Sequence, residues 1–193
     1  MTLANSKSQF YSKQGLWSLF LMCAFPLHFW TLLLAFGDIS WLTERSNFWD
    51  AIGVVSYGMV FAFIESIIVF MVAVLLGFLV PRRWDDRRAA LLGILVLITA
   101  LWGMVGQLYF PLKIPLLEQI VQVLVHFAHP LRDIYLALLP LVFLTIALPT
   151  YFILQSDKGF KIVQDFIERV TLLTMFYLFL SFIGLVIVII RNI

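Results

Sequence analysis

The stretch IGVVSYGMVFAFIESIIVFMVAVLLGFLV, residues 52 to 80, decides what kind of protein this is. It contains a single charged side chain, Glu65, and Pro81 follows it directly. As a helix it would be about 43 Å long, whereas the hydrocarbon core of a bilayer is about 30 Å thick. The stretch therefore predicts a membrane-spanning helix that tilts or extends beyond the core.

The composition of the whole chain also indicates a membrane protein. Hydrophobic residues make up 63% of its 193 residues and charged residues 12%, whereas soluble domains average about 45–50% and about 25%. A buried core cannot absorb so much apolar surface, so we expect the chain to contact a lipid bilayer. A net charge of +2 is too small to indicate nucleic-acid binding. The single cysteine, Cys23, excludes an intrachain disulfide.

Five segments are long and apolar enough to cross a bilayer, for which about 20 residues suffice. Asn47 provides a plausible N-cap for the second of them. No internal repeat or linker divides the chain, so we expect residues 1–193 to form one integral membrane domain, an all-α bundle with five transmembrane helices. The predicted spans are about 16–36, 52–80, 89–110, 134–154 and 170–190.

Lys and Arg residues predict the orientation, because they concentrate in cytoplasmic loops. One set of connections carries nine of them and the other set carries four. With five spans, this bias places the N-terminus in the cytoplasm and the C-terminus outside, in a multi-pass protein of the cell membrane. The nine are Lys7, Lys13, Arg82, Arg83, Arg87, Arg88, Lys158, Lys161 and Arg169; the four are Arg45, Lys113, Arg132 and Arg191.

A further helix is predicted between the third and fourth spans. In the segment LLEQIVQVLVHFAH, residues 116 to 129, the apolar residues recur with the 3.6-residue period of a helix. They would lie on one face of that helix and the polar residues on the other. The segment has about 14 residues, roughly 21 Å of helix, which is too short to span. We therefore expect an amphipathic helix along the outer membrane surface, bounded by Pro115 and Pro130.

Glu65 lies near the middle of the second span, about 15 residues from the nearest other charge. Small residues of this span share one face of the helix, and small residues let membrane helices approach closely. Glu65 falls at the edge of that arc, so it is predicted to point into the bundle. The small residues are Gly58, Ala62, Ser66, Ala73 and Gly77.

Four polar residues of other spans are candidate partners of Glu65. By depth, His28, Thr145 and Ser181 lie near the midplane, and Gln107 lies closer to the outer surface. An ionisable residue inside a membrane can mark a path for protons or substrate. It can also hydrogen-bond across helices and fix their packing. With no second acidic group to form a relay, the structural interpretation is favoured.

Two other groups of residues have simpler explanations. His126 and His129 would supply two ligands, whereas a zinc site needs three or four, so no metal is expected. The loop PRRWDDRR could contact lipid headgroups through Arg82, Arg83, Arg87 and Arg88. Its two aspartates halve that charge, and an ordinary positive-inside loop is the default interpretation.

No catalytic or nucleotide-binding motif is present: G-x-S-x-G, H-E-x-x-H, Walker A and G-x-G-x-x-G are all missing. No cofactor or catalytic residue is therefore predicted. The favoured hypothesis is a non-catalytic accessory or scaffold subunit of a larger membrane assembly, with another membrane protein or further copies of itself as partner. The alternative is a small carrier or substrate-binding protein that uses a Glu65/His28 site.

Overall fold

The computed structural model describes residues 13–37, 47–81, 84–109, 122 and 126–193. Within these ranges the protein is a bundle of five long helices. The helices are α1 (Lys13–Gly37), α2 (Phe48–Gly77), α3 (Asp85–Tyr109), α4 (Pro130–Gln155) and α5 (Asp157–Asn192).

All five helices are long and apolar enough to cross a membrane. Each predicted span overlaps one of them, which confirms the predicted membrane helix bundle, although α5 begins at Asp157 and not near residue 170. The second span ends earlier than predicted, because α2 stops at Gly77 and residues 78 to 80 form a turn before Pro81. At its other end, the Asn47 side chain accepts a hydrogen bond from the Asp50 amide at 2.8 Å, as an N-cap should.

The central helix of the bundle is α1. Four consecutive residues, Leu21 to Ala24, are fully buried, and a helix that is buried on all sides must be surrounded by others. It packs against α2, α3 and α5. Two apolar clusters result, one around Leu19 and Cys23 and the other around Met22.

The face that α2 buries consists mainly of small residues. Four of the five small residues predicted to form its packing face are buried, and Gly58 is half-buried. A Cβ atom added at Gly184 of α5 would lie 3.1 Å from the Ser56 carbonyl oxygen. Glycine therefore permits a close approach of the α2 and α5 backbones.

At the edge of the bundle, α4 packs against α3 and α5. Ile153 is buried near its end, whereas large apolar side chains such as Phe143 and Tyr151 are exposed. Exposed apolar side chains also cover the outer faces of α2 and α5. Such a surface suits contact with lipid or with another membrane protein.

The predicted surface helix at 116–129 is not supported. Most of that segment lies outside the described residues. In its described part Gln122 is helical, but residues 126 to 129 form a turn and bends that lead into α4 at Pro130. His129 has φ −136° and ψ 69°, which is not helical, and a residue before a proline is disfavoured in the helical conformation.

Candidate functional site

Glu65 lies on the outer face of α2 and is exposed. It is 17 residues from the start of the helix and 12 from its end, about 26 Å and 18 Å along the axis. Glu65 is therefore near the level of the bilayer midplane if α2 spans centrally. Among the described residues, no side chain or backbone group forms a hydrogen bond or ion pair with it.

The predicted inward orientation of Glu65 is wrong. The buried face of α2 is centred on Ala62, Ser66 and Ala73. At 100° per residue, Glu65 lies about 80° from the centre of that face. The small residues do form the packing face, as predicted. Glu65, at the edge of that face, does not contact the neighbouring helices.

The structure does bring together two of the predicted residues, His28 and Ser181. His28 is fully buried, and its Nε2 atom lies 2.9 Å from the Ser181 Oγ atom. The other ring nitrogen, Nδ1, lies 2.8 Å from the Ala24 carbonyl oxygen. Ser181 Oγ also lies 3.2 Å from the carbonyl oxygens of Met59 and Tyr177. This polar centre joins α1, α2 and α5.

Both the axial position of Glu65 along α2 and the direction of its side chain separate it from this centre. Ser181 reaches the backbone of α2 at Met59. Glu65 is six residues further along the helix, about 9 Å in the axial direction, and its side chain is exposed whereas His28 is not. The predicted pair of Glu65 and His28 is therefore not formed.

A carbonyl oxygen can only accept, so Nδ1 donates to Ala24, and Nε2 of a neutral ring accepts from the Ser181 hydroxyl. The Ser181 hydroxyl has one proton, so while it donates to His28 it does not donate to the carbonyl oxygens of Met59 and Tyr177. A serine hydroxyl bonded to a histidine is also the start of a nucleophilic pair. Here both side chains are at least 96% buried and Nδ1 faces a backbone carbonyl, so the arrangement joins helices and presents no hydroxyl to a substrate.

Thr145 and Gln107 each form a separate contact between helices. The Trp102 indole N–H donates to Thr145 Oγ1 at 3.0 Å and links α3 to α4. The Trp30 indole N–H donates to Gln107 Oε1 and links α1 to α3. Sequence reasoning missed both tryptophans. Their signal was an indole donor within a span, which needs an acceptor when it is removed from water.

Of the four arginines predicted at the headgroup level, Arg82 and Arg83 lie outside the described residues. Arg87 donates to the carbonyl oxygens of Ile153 at 2.7 Å and Leu154 at 3.1 Å, and it pairs with Asp157. Arg88 is 1% exposed and donates to the Val80 carbonyl at 3.0 Å. Both residues thus hold the ends of helices together on the predicted cytoplasmic side.

An ion pair on the opposite side was not predicted. Arg191, in the last turn of α5, donates to the Asp50 carboxylate at 2.8 Å and to the Trp49 carbonyl. Its guanidinium also lies 5.7 Å from the centre of the Trp49 ring. The signal available in the sequence was that α2 begins and α5 ends on the same side, each with one charge in its terminal turn.

The histidines outside the spans, His126 and His129, are exposed. The His126 Nδ1 atom lies 2.8 Å from the Gln122 carbonyl oxygen. Within the described ranges, no three His, Cys, Asp or Glu side chains lie close enough together to hold a metal ion. These histidines thus form no multi-ligand site there.

The polar residues predicted to form a site within the spans are therefore used in two ways. His28, Ser181, Thr145 and Gln107 are used in contacts between helices of the chain, whereas Glu65 faces outward. The four residues in contacts between helices can fix helix packing, and Glu65 is available to a group outside the bundle. No protein-family model, no curated protein and no solved structure matches this chain.

Proposed function

We propose that this chain is a non-catalytic multi-pass membrane protein that serves as an accessory or scaffold subunit of a larger membrane assembly. The supporting observation is the exposed Glu65 in the middle of an apolar transmembrane helix. Its carboxyl group has no partner among the described residues of its own chain, so its partner is expected to come from another subunit.

The cost of leaving Glu65 in lipid supports this proposal. An acidic residue at the centre of a transmembrane helix costs about 3 kcal/mol on insertion scales, and hydrocarbon supplies no hydrogen bonds. The remaining apolar residues of α2 make insertion affordable. The carboxyl group nevertheless gains free energy from any neighbouring helix that offers a polar group at its depth.

The alternative, a small carrier with a Glu65/His28 site, has weaker support. It required both side chains to face one cavity between α1 and α2. Glu65 faces outward, and both ring nitrogens of His28 have partners within the bundle. No contact in the described part of the chain favours the carrier over the subunit.

The proposal places the protein in the cell membrane with its N-terminus in the cytoplasm and its C-terminus outside. The excess of Lys and Arg on one side supports this orientation. The contact of Arg87 with the end of α4 places the α2–α3 and α4–α5 connections on one side. The contact of Arg191 with Asp50 joins the end of α5 to the start of α2 at the opposite end of the bundle.

Purification from native membranes in a mild detergent tests the proposed role. The wild-type chain should migrate as a complex of fixed stoichiometry on native gels, and Glu65→Leu should reduce the amount of that complex. Ile64→Leu, a change at the neighbouring exposed position, is the matched control and should leave the complex intact. A wild-type chain that is monomeric and alone, in detergent and in native nanodiscs, would overturn the proposal.

A further inference from the structure

The exposed face of α2 has a regular pattern centred on Glu65. We name as the outer stripe a set of exposed residues separated by 7, 4, 3, 4 and 3 positions, in which Glu65 alone is polar. This is the spacing at which one helix packs against another in a left-handed pair. The outer stripe consists of Val54, Phe61, Glu65, Ile68, Val72 and Leu75.

We propose that two copies of this chain associate in the membrane through their outer stripes, with the two Glu65 side chains in contact. The inference rests on the proposed role as a subunit and names the partner as a second copy. Cyclic two-fold dimers are the commonest oligomers of identical chains. A two-fold axis normal to the membrane would bring equivalent residues together at equal depth.

The chemistry of a carboxyl group makes Glu65 complementary to itself. In its neutral form a carboxyl group has one O–H donor and a carbonyl acceptor. Two such groups that meet across a two-fold axis can each donate to the other, so both are satisfied without a cation. In hydrocarbon, where water cannot compete, this exchange stabilises the pair relative to two separate chains.

The large side chains of the outer stripe strengthen the role assigned to Glu65. Membrane helices that associate by packing alone use small residues to bring their backbones close together. The small residues of α2 are already used within the bundle, and the outer stripe contains Phe, Ile, Leu and Val. Association through this face is therefore expected to depend strongly on the polar group, as a single polar residue in an apolar seam sets the pairing of helices.

Disulfide cross-linking of the purified full chain in phosphatidylcholine and phosphatidylglycerol vesicles tests the interface. Single cysteines are introduced in a Cys23→Ala background at Ile68 and Val72, which belong to the outer stripe. The controls are Phe63 and Ile67, which lie at least 100° around the same helix from Ile68 and Val72. All four positions are exposed, since Ile68 and Val72 are 52% and 51% exposed and Phe63 and Ile67 are 38% and 37% exposed. Cross-linked dimer should be several-fold more abundant at Ile68 and Val72, and equal yields at all four positions would overturn the proposal.

The contribution of Glu65 is measured by resonance energy transfer between labelled chains as they are diluted with lipid. Glu65→Leu should weaken dimerisation about tenfold, whereas Glu65→Gln should retain most of it, because an amide also donates and accepts. Dimerisation of Glu65→Leu at the wild-type strength would overturn the assignment.

A third arm separates this inference from the proposed function. In native membranes, the cysteine at Ile68 should cross-link to a second copy of the chain. Cross-linking to a different protein instead would overturn the dimer and leave the subunit role standing. A chain that forms neither product and purifies alone would overturn both.

Discussion

The buried imidazole of His28 shows how one side chain can connect three helices. Its Nδ1 bonds to its own helix α1, and its Nε2 bonds to Ser181 of α5, whose hydroxyl also approaches Met59 of α2. The Nε2 atom is satisfied only while α1 and α5 keep their relative positions. Removal of one partner leaves the others buried and without a bond, which costs more than an exposed hydrogen bond is worth.

We therefore expect Ser181→Ala to destabilise the bundle by about 1–3 kcal/mol. The physical reason is the loss of the hydrogen-bond partner of the fully buried Nε2 atom of His28. Unfolding in mixed detergent micelles, followed by helical circular dichroism, measures the change.

Thr99→Ala is the control for Ser181→Ala. The Thr99 hydroxyl also bonds to the carbonyl four residues earlier, at 2.8 Å, but the residue is exposed and joins no second helix. Its loss should change the free energy of unfolding by less than about 0.5 kcal/mol. Equal effects of the two substitutions would show that the contact with His28 contributes nothing to stability.

Among the elements, the pair of α2 and α5 depends on the absence of a side chain at Gly184. An added Cβ atom would lie 3.1 Å from the Ser56 carbonyl oxygen and 3.4 Å from the Ser56 Cα atom. These are backbone atoms of the partner helix, so they can yield only if one helix moves. Such a shift would also change the hydrogen-bond distances around Ser181, one turn away on the same face.

Gly184→Val should accordingly destabilise the protein by about 1–3 kcal/mol, the usual cost of overpacking. Gly103→Ala is the matched control, because a Cβ atom at Gly103 would meet nothing within 4 Å. It should leave stability unchanged or raise it slightly, since alanine favours helix more than glycine does. A valine at 184 that leaves the unfolding transition in place would contradict the close approach of α2 and α5.

The connection between α4 and α5 depends on Arg87 of α3. Its guanidinium binds two carbonyl oxygens at the end of α4 as well as the Asp157 carboxylate. The carbonyls belong to residues that cannot satisfy them within the helix. The Asp157 side chain, in contrast, is 93% exposed, so solvent screens the ion pair and its contribution is small.

Arg87→Gln should therefore accelerate hydrogen exchange at the amides of residues 152 to 160, because the end of α4 loses its anchor. Asp157→Asn should have little effect, since it leaves the bonds from Arg87 to the backbone of α4 intact. The comparison is made by mass spectrometry in detergent micelles. Faster exchange in Asp157→Asn than in Arg87→Gln would assign the anchoring to the ion pair instead.

At the scale of the whole molecule, the five helices alternate in direction, so that the start of α1 and the end of α5 lie at opposite ends of the bundle. The ion pair of Asp50 with Arg191 and the contact of Arg87 with α4 lie at opposite ends of the bundle. The same arrangement leaves α4 at the edge, where it packs on only one side, and leaves the outer stripe of α2 free for a partner.

Labelling of single cysteines in intact cells tests the predicted orientation. In the Cys23→Ala background, a membrane-impermeant maleimide added from outside should modify cysteines at Asn192 and His129 but not at Lys158. All three positions are exposed, so differences in labelling report the side of the membrane. Modification at Lys158 with protection of Asn192 would mean that the orientation is inverted.

The sequence by itself determined the class of the protein and the positions of its five spans. The physical reason is that insertion into lipid depends on the hydropathy of about 20 neighbouring residues, which is a local property of the chain. Local patterns also located the N-cap at Asn47 and the face of small residues on α2. The predicted surface helix is not supported, since its described end forms a turn and bends before Pro130.

Only the tertiary structure decided which polar residues meet. His28, Ser181 and Met59 come from three separate helices, and their contact depends on helix rotation and axial offset, which no local pattern encodes. Glu65 lay at the edge of the packing face, where a rotation of a few tens of degrees separates the inside of the bundle from the outside. The direction in which its side chain points, and so the case for a partner outside the chain, follows from how α1 and α5 pack on α2.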